Sequence, residues 1–203
     1  MAERPINNPG RVLIAGENHV LRLRSDPEGP DAALVNHFRL RLSPHGPGHA
    51  VFVLADANAA DPRNACYSDN PALATWLLDW YLRGSPLYQD LEGLVDLPIV
   101  TAGGFSFVDE LPRRWTETVR AGDVTIRAAW KDLATPFHVE RLAQPGEPGA
   151  MDVFSVLMSA SDAALSVDGQ QIPGVVFRRQ VGSQPITSAF LAFAESWVEV
   201  PGF

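Results

Sequence analysis

The chain has 203 residues, 46% hydrophobic and 20% charged, and carries 24 acidic against 16 basic residues for a net charge of −8. This balance excludes a disordered chain, and the lack of any basic run argues against a nucleic-acid partner, because phosphates are neutralised by clustered Lys and Arg. The lone Cys66 excludes an intrachain disulfide.

No apolar run nears the ~18 residues of a membrane span, and the opening MAERPINNPG lacks the apolar stretch of a signal peptide. The expectation is a cytoplasmic protein with no membrane partner, folded as a single β-rich domain over residues 1–203.

In chain order, Arg11–Ala15 and His19–Arg24 read as short strands around a turn at Gly16-Glu17-Asn18, and Ser25–Ala32 as a loop. Leu34–Leu42 alternates cleanly. Leu34, Phe38, Leu40 and Leu42 share one face with Asn36, and His37, Arg39 and Arg41 share the other. The SPHGPG stretch must turn. Ala50–Ala55 is apolar on both faces and should be covered on both. Three of the five histidines, His37, His45 and His49, fall around this hairpin. A zinc site wants three or four ligands, commonly with a thiolate or carboxylate among them, and neither H-E-x-x-H nor paired cysteines occur. These histidines are therefore read as hairpin residues, with no metal assigned.

Asp56–Pro71 is a polar loop whose acids and amides suit Asx-turns better than calcium, since it has no turn glycine and no Glu. One main helix follows near 71–83. Asp69 or Asn70 caps it, Pro71 suits its first turn, and Leu73, Trp76, Leu77, Trp80 and Tyr81 make an apolar stripe. It is expected as a lid against the sheet or a barrel end. Ser85–Val95 can add a short helix.

Ile99–Val108 contains Gly103-Gly104, a bulge or bend signal. Arg114–Arg120 and Val124–Trp130 form a hairpin. Phe137–Leu142 is a strand, and the stretch AQPGEPGA at 143–150 is a loop. Val153–Ser159, Ala163–Val167, Val175–Gln180 and Ile186–Val200 complete the strands, with a turn at Asp168-Gly169. Without strand–helix alternation, the fold class is mainly β: a single antiparallel barrel or strongly curved sandwich with one capping helix. The pattern resembles the lipocalin-type barrels in architecture alone. Their signature is absent around Arg11–Arg24, and no residue is carried over.

No nucleophile elbow, dinucleotide fingerprint or phosphate loop occurs, so no cofactor is expected. Along Ala189–Val200, Leu191, Phe193, Glu195, Trp197 and Glu199 share a face that mixes large apolar groups with carboxylates, as a ligand-binding lumen does. A carboxylate among aromatics has a raised pKa and suits acid–base work. Trp115, Glu117, Arg127 and Trp130 on the central hairpin, and His138 with Glu140 on the next strand, form a second group.

The function expected is binding of a small, largely apolar molecule in a barrel cavity. Trp115, Arg127, Trp130, Leu191, Phe193 and Trp197 would be its ligand-binding residues. The alternative is an isomerase or hydrolase that needs no cofactor and uses a carboxylate–His pair drawn from His138, Glu140 and Glu195. Open strand edges leave a homodimer possible.

Overall fold

The structure, a computed structural model, describes residues 10–85, 87–143, 151–181 and 183–200. The N-terminal stretch 1–9 and the loop residues 144–150 lie outside the described residues.

Period-2 alternation in the first third of the chain becomes an antiparallel meander: β1 (Val12–Arg24), β2 (Asp31–Leu42), β3 (Gly48–Leu54) and β4 (Ala65–Ser68). Helix α1 (Pro71–Leu77) follows. Then come β5 (Ile99–Thr101), β6 (Gly104–Glu110), β7 (Arg114–Ala121), β8 (Val124–Leu133) and β9 (Phe137–Arg141). The chain ends with β10 (Met151–Val167), β11 (Gln170–Ile172), β12 (Arg178–Val181), β13 (Gln184–Thr187) and β14 (Ala189–Glu199). The main sheet runs β5-β4-β3-β2-β1-β14-β10-β8-β7-β6, with β9 and β11 also paired to β10 and with β12–β13 as a separate hairpin. The β4–β5 ladder is parallel and the others along this path are antiparallel.

β5 and β6 sit at opposite ends of this path, yet only Ala102 and Gly103 separate them in the chain. The sheet must therefore curl until its two ends meet at the glycine pair, where a backbone without Cβ atoms can turn sharply. The result is a mainly β half-barrel. A closed barrel of the lipocalin kind does not form, because among the described residues no ladder joins β5 to β6.

The concave face is filled by side chains. Leu21, Leu23, Val35, Val51 and Val53 from the meander pack against Trp115, Val119, Ile126, Trp130, Leu165 and Leu191 from the opposite wall. The convex face of the meander carries Leu34, Phe38, Leu40, Phe52 and Leu54. These bury α1 and the segment after it through Leu73, Leu77, Leu78, Leu82, Leu91 and Leu94. The β3 strand is thus covered on both faces, as its apolar sequence requires.

Asn70 caps α1 by accepting from Leu73 N at 3.1 Å, and Pro71 opens the first turn. Leu78–Leu82 continues as a wider turn, with Arg83 N donating to Leu78 O at 2.9 Å. Trp76 of α1 and Trp80 of this wider turn are half-buried, with their rings stacked at 4.7 Å. Of the two expected positions, against the sheet or at a barrel end, the helix takes the first. The helix lies on the convex side of the sheet, because the even-numbered apolar face of β2 and β3 draws it there.

A second correction concerns β14. Its register with β10 passes from Phe154↔Ser196 to Val156↔Phe193, so one extra residue is inserted on β14. Ala194 sits in this bulge at φ 52°. The bulge reverses parity. Leu191 and Phe193 belong to the concave core, whereas Trp197 belongs to the convex one. The face that simple alternation assigns to Leu191, Phe193, Glu195 and Trp197 is therefore split in two. A positive φ is costly for a residue with a Cβ and worse for a β-branched one. Ala194→Val is expected to lower stability by about 1–2 kcal/mol, and Ala194→Gly to leave it unchanged or higher, as read by urea denaturation.

Candidate functional site

The odd-numbered positions that fill the concave core turn polar toward one end of the half-barrel. On β1 they continue to His19 and Glu17, on β2 to His37 and Arg39, and on β3 to His49. The ladders place His19 opposite His37, Glu17 opposite Arg39, and Arg39 opposite His49. From the far wall, Glu117 of β7 reaches across to them.

Glu117 is 4% exposed, and its carboxylate is fully engaged. It takes a hydrogen bond from His37 Nδ1 at 2.6 Å, from Arg39 Nη2 at 3.1 Å and from Trp115 Nε1 at 3.2 Å. Burial pushes this carboxyl's pKa up, but the His37 and His19 rings when protonated, the His37 hydrogen bond and the Arg39 charge outweigh it and hold the pKa well below the usual range. Arg39 also pairs with Glu17, Nη1 to Oε2 at 3.1 Å, and packs over the Phe107 ring at 4.8 Å.

The hydrogen bonds fix two tautomers. His19 Nδ1 accepts the Ala192 N–H at 3.1 Å, so the ring proton sits on Nε2, 3.4 Å from Glu17 and 3.7 Å from Glu117. His19 is held as a donor in an aromatic collar, with Phe193, Trp115 and Trp130 rings 5.0, 5.8 and 6.0 Å away. His37 is the reverse. Its Nδ1–H goes to Glu117, so in the neutral ring Nε2 is the acceptor; that atom is buried and without a hydrogen-bond partner among the described residues.

A second carboxylate–imidazole pair lies beside the first. His49 Nδ1 is 2.8 Å from Asp69 Oδ2, and the His49 backbone N–H donates to Asp69 Oδ1 at 2.7 Å. The His49 ring stacks on Phe105 at 4.3 Å and lies 5.6 Å from the His37 ring. Burial lowers the His49 pKa, opposed by the Asp69 hydrogen bond and charge. A cleft of about 190 Å³ opens here between β2, β3 and β6, lined by His37, Arg39, Arg41, His49, Phe105, Ser106 and Phe107. It shares Arg39, Arg41 and His49 with a neighbouring cleft of about 520 Å³ that also reaches Gly48, Asp69 and Asn70. A larger hollow of about 800 Å³ beneath β12–β13 is lined by Asp132, Arg178 and Arg179 but by no histidine, and its Ser159 and Thr187 hydroxyls are bonded to each other at 3.0 Å.

The residues singled out from sequence are scattered by the fold. Trp115, Trp130, Leu191 and Phe193 do converge on the concave side, as packed core around His19. Glu195 is buried with Trp197 on the helix side, accepting from Trp197 Nε1 at 2.6 Å. His138 and Glu140 are exposed on β9, and Arg127 is exposed on the outer side of β8. His45 sits in the β2–β3 turn beside Trp76, away from His37 and His49. The pairing of Glu117 with His37 escapes single-strand reasoning because 80 residues separate the two. The alternation that puts His37, Arg39 and Arg41 on one face was its visible half.

Two buried carboxylates should respond oppositely to pH. Glu117 has a lowered folded pKa, so its contribution is present above the ordinary value of about 4.3 and is lost as pH falls toward the folded value. Glu117→Gln is expected to cost about 3–5 kcal/mol at pH 7 and to remove that acid-side loss. Glu195 has its pKa raised by burial, only partly offset by the Ser155 hydroxyl and the Trp197 bond. Its folded form keeps a proton that the unfolded chain releases, so stability falls as pH rises from about 4.3 toward the folded value. Glu195→Gln should remove this slope and be the more stable protein at pH 8. Urea denaturation at pH 4, 6 and 8 checks both.

No family model, curated protein or solved structure compared with the chain matches it.

Proposed function

We propose that the protein is an acid–base enzyme, a hydrolase or isomerase of a small molecule. Its carboxylate–imidazole pair is Glu117–His37, working in the cleft between β2–β3 and β6. The observation that carries this is the His37 ring itself. One nitrogen is locked by a 2.6 Å bond to an ionised carboxylate, and the other is a buried acceptor with no partner among the described residues. A general base needs a fixed tautomer, a fixed orientation and an uncommitted lone pair, and the His37 ring that offers them lines the cleft. Glu117 acts as a positioning residue and stabilises the imidazolium that forms when His37 takes a proton. Arg39 holds Glu117 in place from the other side.

A carrier of apolar molecules would need open space along the concave face. Trp130, Leu21 and Leu191 pack there with essentially no exposure, so the support lies with the acid–base reading.

The variant His37→Asn keeps a donor where Nδ1 stood and removes Nε2. On p-nitrophenyl acetate, butyrate and phosphate, the rate above background should fall about 100-fold or more in this variant, with the near-UV spectrum preserved. His138→Gln should leave it unchanged. Nitrogen NMR of the imidazoles should find His37 protonated at Nδ1 and bare at Nε2. A proton on Nε2, or a His37→Asn protein as fast as the wild type, would sink the reading.

A further inference from the structure

The charges around the cleft are unevenly matched. Arg39 divides its guanidinium between Glu17 and Glu117, each at 3.1 Å, and Asp69 is bound to His49. Arg41 lies on the same face of β2 as His37 and Arg39 and lines both the smaller and the larger cleft. It is exposed, and no ion pair or hydrogen bond engages its guanidinium among the described residues. An unmatched guanidinium at the junction of two clefts is a ready partner for an oxyanion, since its fork fits two oxygens at once. The second sign of a ligand is His37 Nε2, a buried, partnerless acceptor on a ring that lines the smaller cleft.

The opposite polarity of these two groups restricts the guest. One end must offer negative oxygens to Arg41. An adjacent atom must carry a proton that Nε2 can accept a bond from. The stacked rings of His49 and Phe105 form one wall, so a flat or compact guest is favoured over a long one. We propose that this cleft binds a small oxyanion that carries or adjoins a hydroxyl, held by Arg41 and His37. Hydrogen phosphate and hydroxy-carboxylates share that chemistry. This inference rests on the acid–base reading of the same site and supplies its substrate class.

The test titrates the wild type, Arg41→Gln and His37→Asn with inorganic phosphate and, separately, with salicylate, following backbone amide shifts. The wild type should show saturable shifts around residues 37–41, 48–49 and 105–107 with at least one probe. The stronger probe tells a phosphate from a carboxylate ligand. Arg41→Gln, an exposed position whose loss should spare the fold, should weaken binding about tenfold or more. His37→Asn should weaken it while leaving the Glu117 contacts in place. Lack of a saturable shift with either probe, or an Arg41→Gln protein that binds as tightly as the wild type, overturns the inference. The two proposals fail separately. Unchanged binding in Arg41→Gln with turnover lost in His37→Asn removes only the oxyanion. Binding lost in Arg41→Gln with turnover intact in His37→Asn removes only the general base.

Discussion

The carboxylate of Glu117 is the interaction on which the polar end of the half-barrel depends. The sheet brings β5 and β6 together in the chain but does not zip them into a ladder. At this end, side chains do the work that backbone pairing does in a closed barrel. Glu117 spans from β7 to His37 and Arg39 on β2, and Phe105 of β6 stacks on His49 of β3. A buried carboxylate is expensive to desolvate, and it is tolerable here because three donors converge on it. Removing any one donor leaves the others holding a less satisfied charge, so the cluster behaves as a unit rather than as separable bonds.

Two backbone irregularities set which chemistry faces which side. β14 gains a residue at Ala194, seen from both β10 and β1, and β1 shifts register against β2 between Ala15 and Gly16. At Gly16 the strands approach so closely that an added Cβ would lie 2.2 Å from Arg39 O. Only glycine permits that approach, and the next residue on β1, Glu17, then falls opposite Arg39. On β14 the inserted residue sends Glu195 and Trp197 to the helix side while Phe193 stays against His19. One carboxylate thereby enters an apolar layer and keeps its proton more readily, while the other enters a cationic cluster and gives its proton up. Identical side chains acquire opposite properties from parity alone.

The parts of this fold that were legible in the sequence are the local ones. The 34–42 alternation, the SPHGPG turn, the Asn70 cap and the central hairpin each depend on a few neighbouring residues, and each is present. The Asx-turns of 56–64 likewise hold, with Asp56 and Asp61 accepting backbone N–H groups two residues on. What stayed hidden depends on register between distant strands. Gly16-Glu17-Asn18 reads as a turn because its polarity resembles one, yet the residues lie in the middle of one long β1 strand, where Glu17 faces the cluster opposite Arg39 and Asn18 points to the other side opposite Phe38. The last strand hid its bulge for a similar reason. Ala194 carries no glycine signature, so strict alternation put Glu195 on the wrong side. The helix stripe was visible, but a stripe does not say which face of a sheet it will meet.

The cost of the cluster is itself an argument about its role. A buried acceptor with no partner, such as His37 Nε2, costs about 1–3 kcal/mol relative to a satisfied one, and an aliphatic residue there would extend the neighbouring Val35 and Val51 core at no such cost. The same holds for His19, whose Nε2 stands at ion-pair rather than hydrogen-bond distance from two carboxylates. Elsewhere on the concave face the chain uses Leu, Val, Ala and Trp, with the Trp130 N–H satisfied by Val20 O at 2.8 Å. Among the described residues the buried ring nitrogens without a hydrogen-bond partner, His19 Nε2 and His37 Nε2, both lie in the cluster around Glu117. Core packing alone gives no reason for two such imidazoles, because the apolar end of the same sheet shows how this scaffold is stabilised without them. A site that must exchange a proton with a guest does give a reason, since a nitrogen already satisfied by the protein would have to break that bond before it could act.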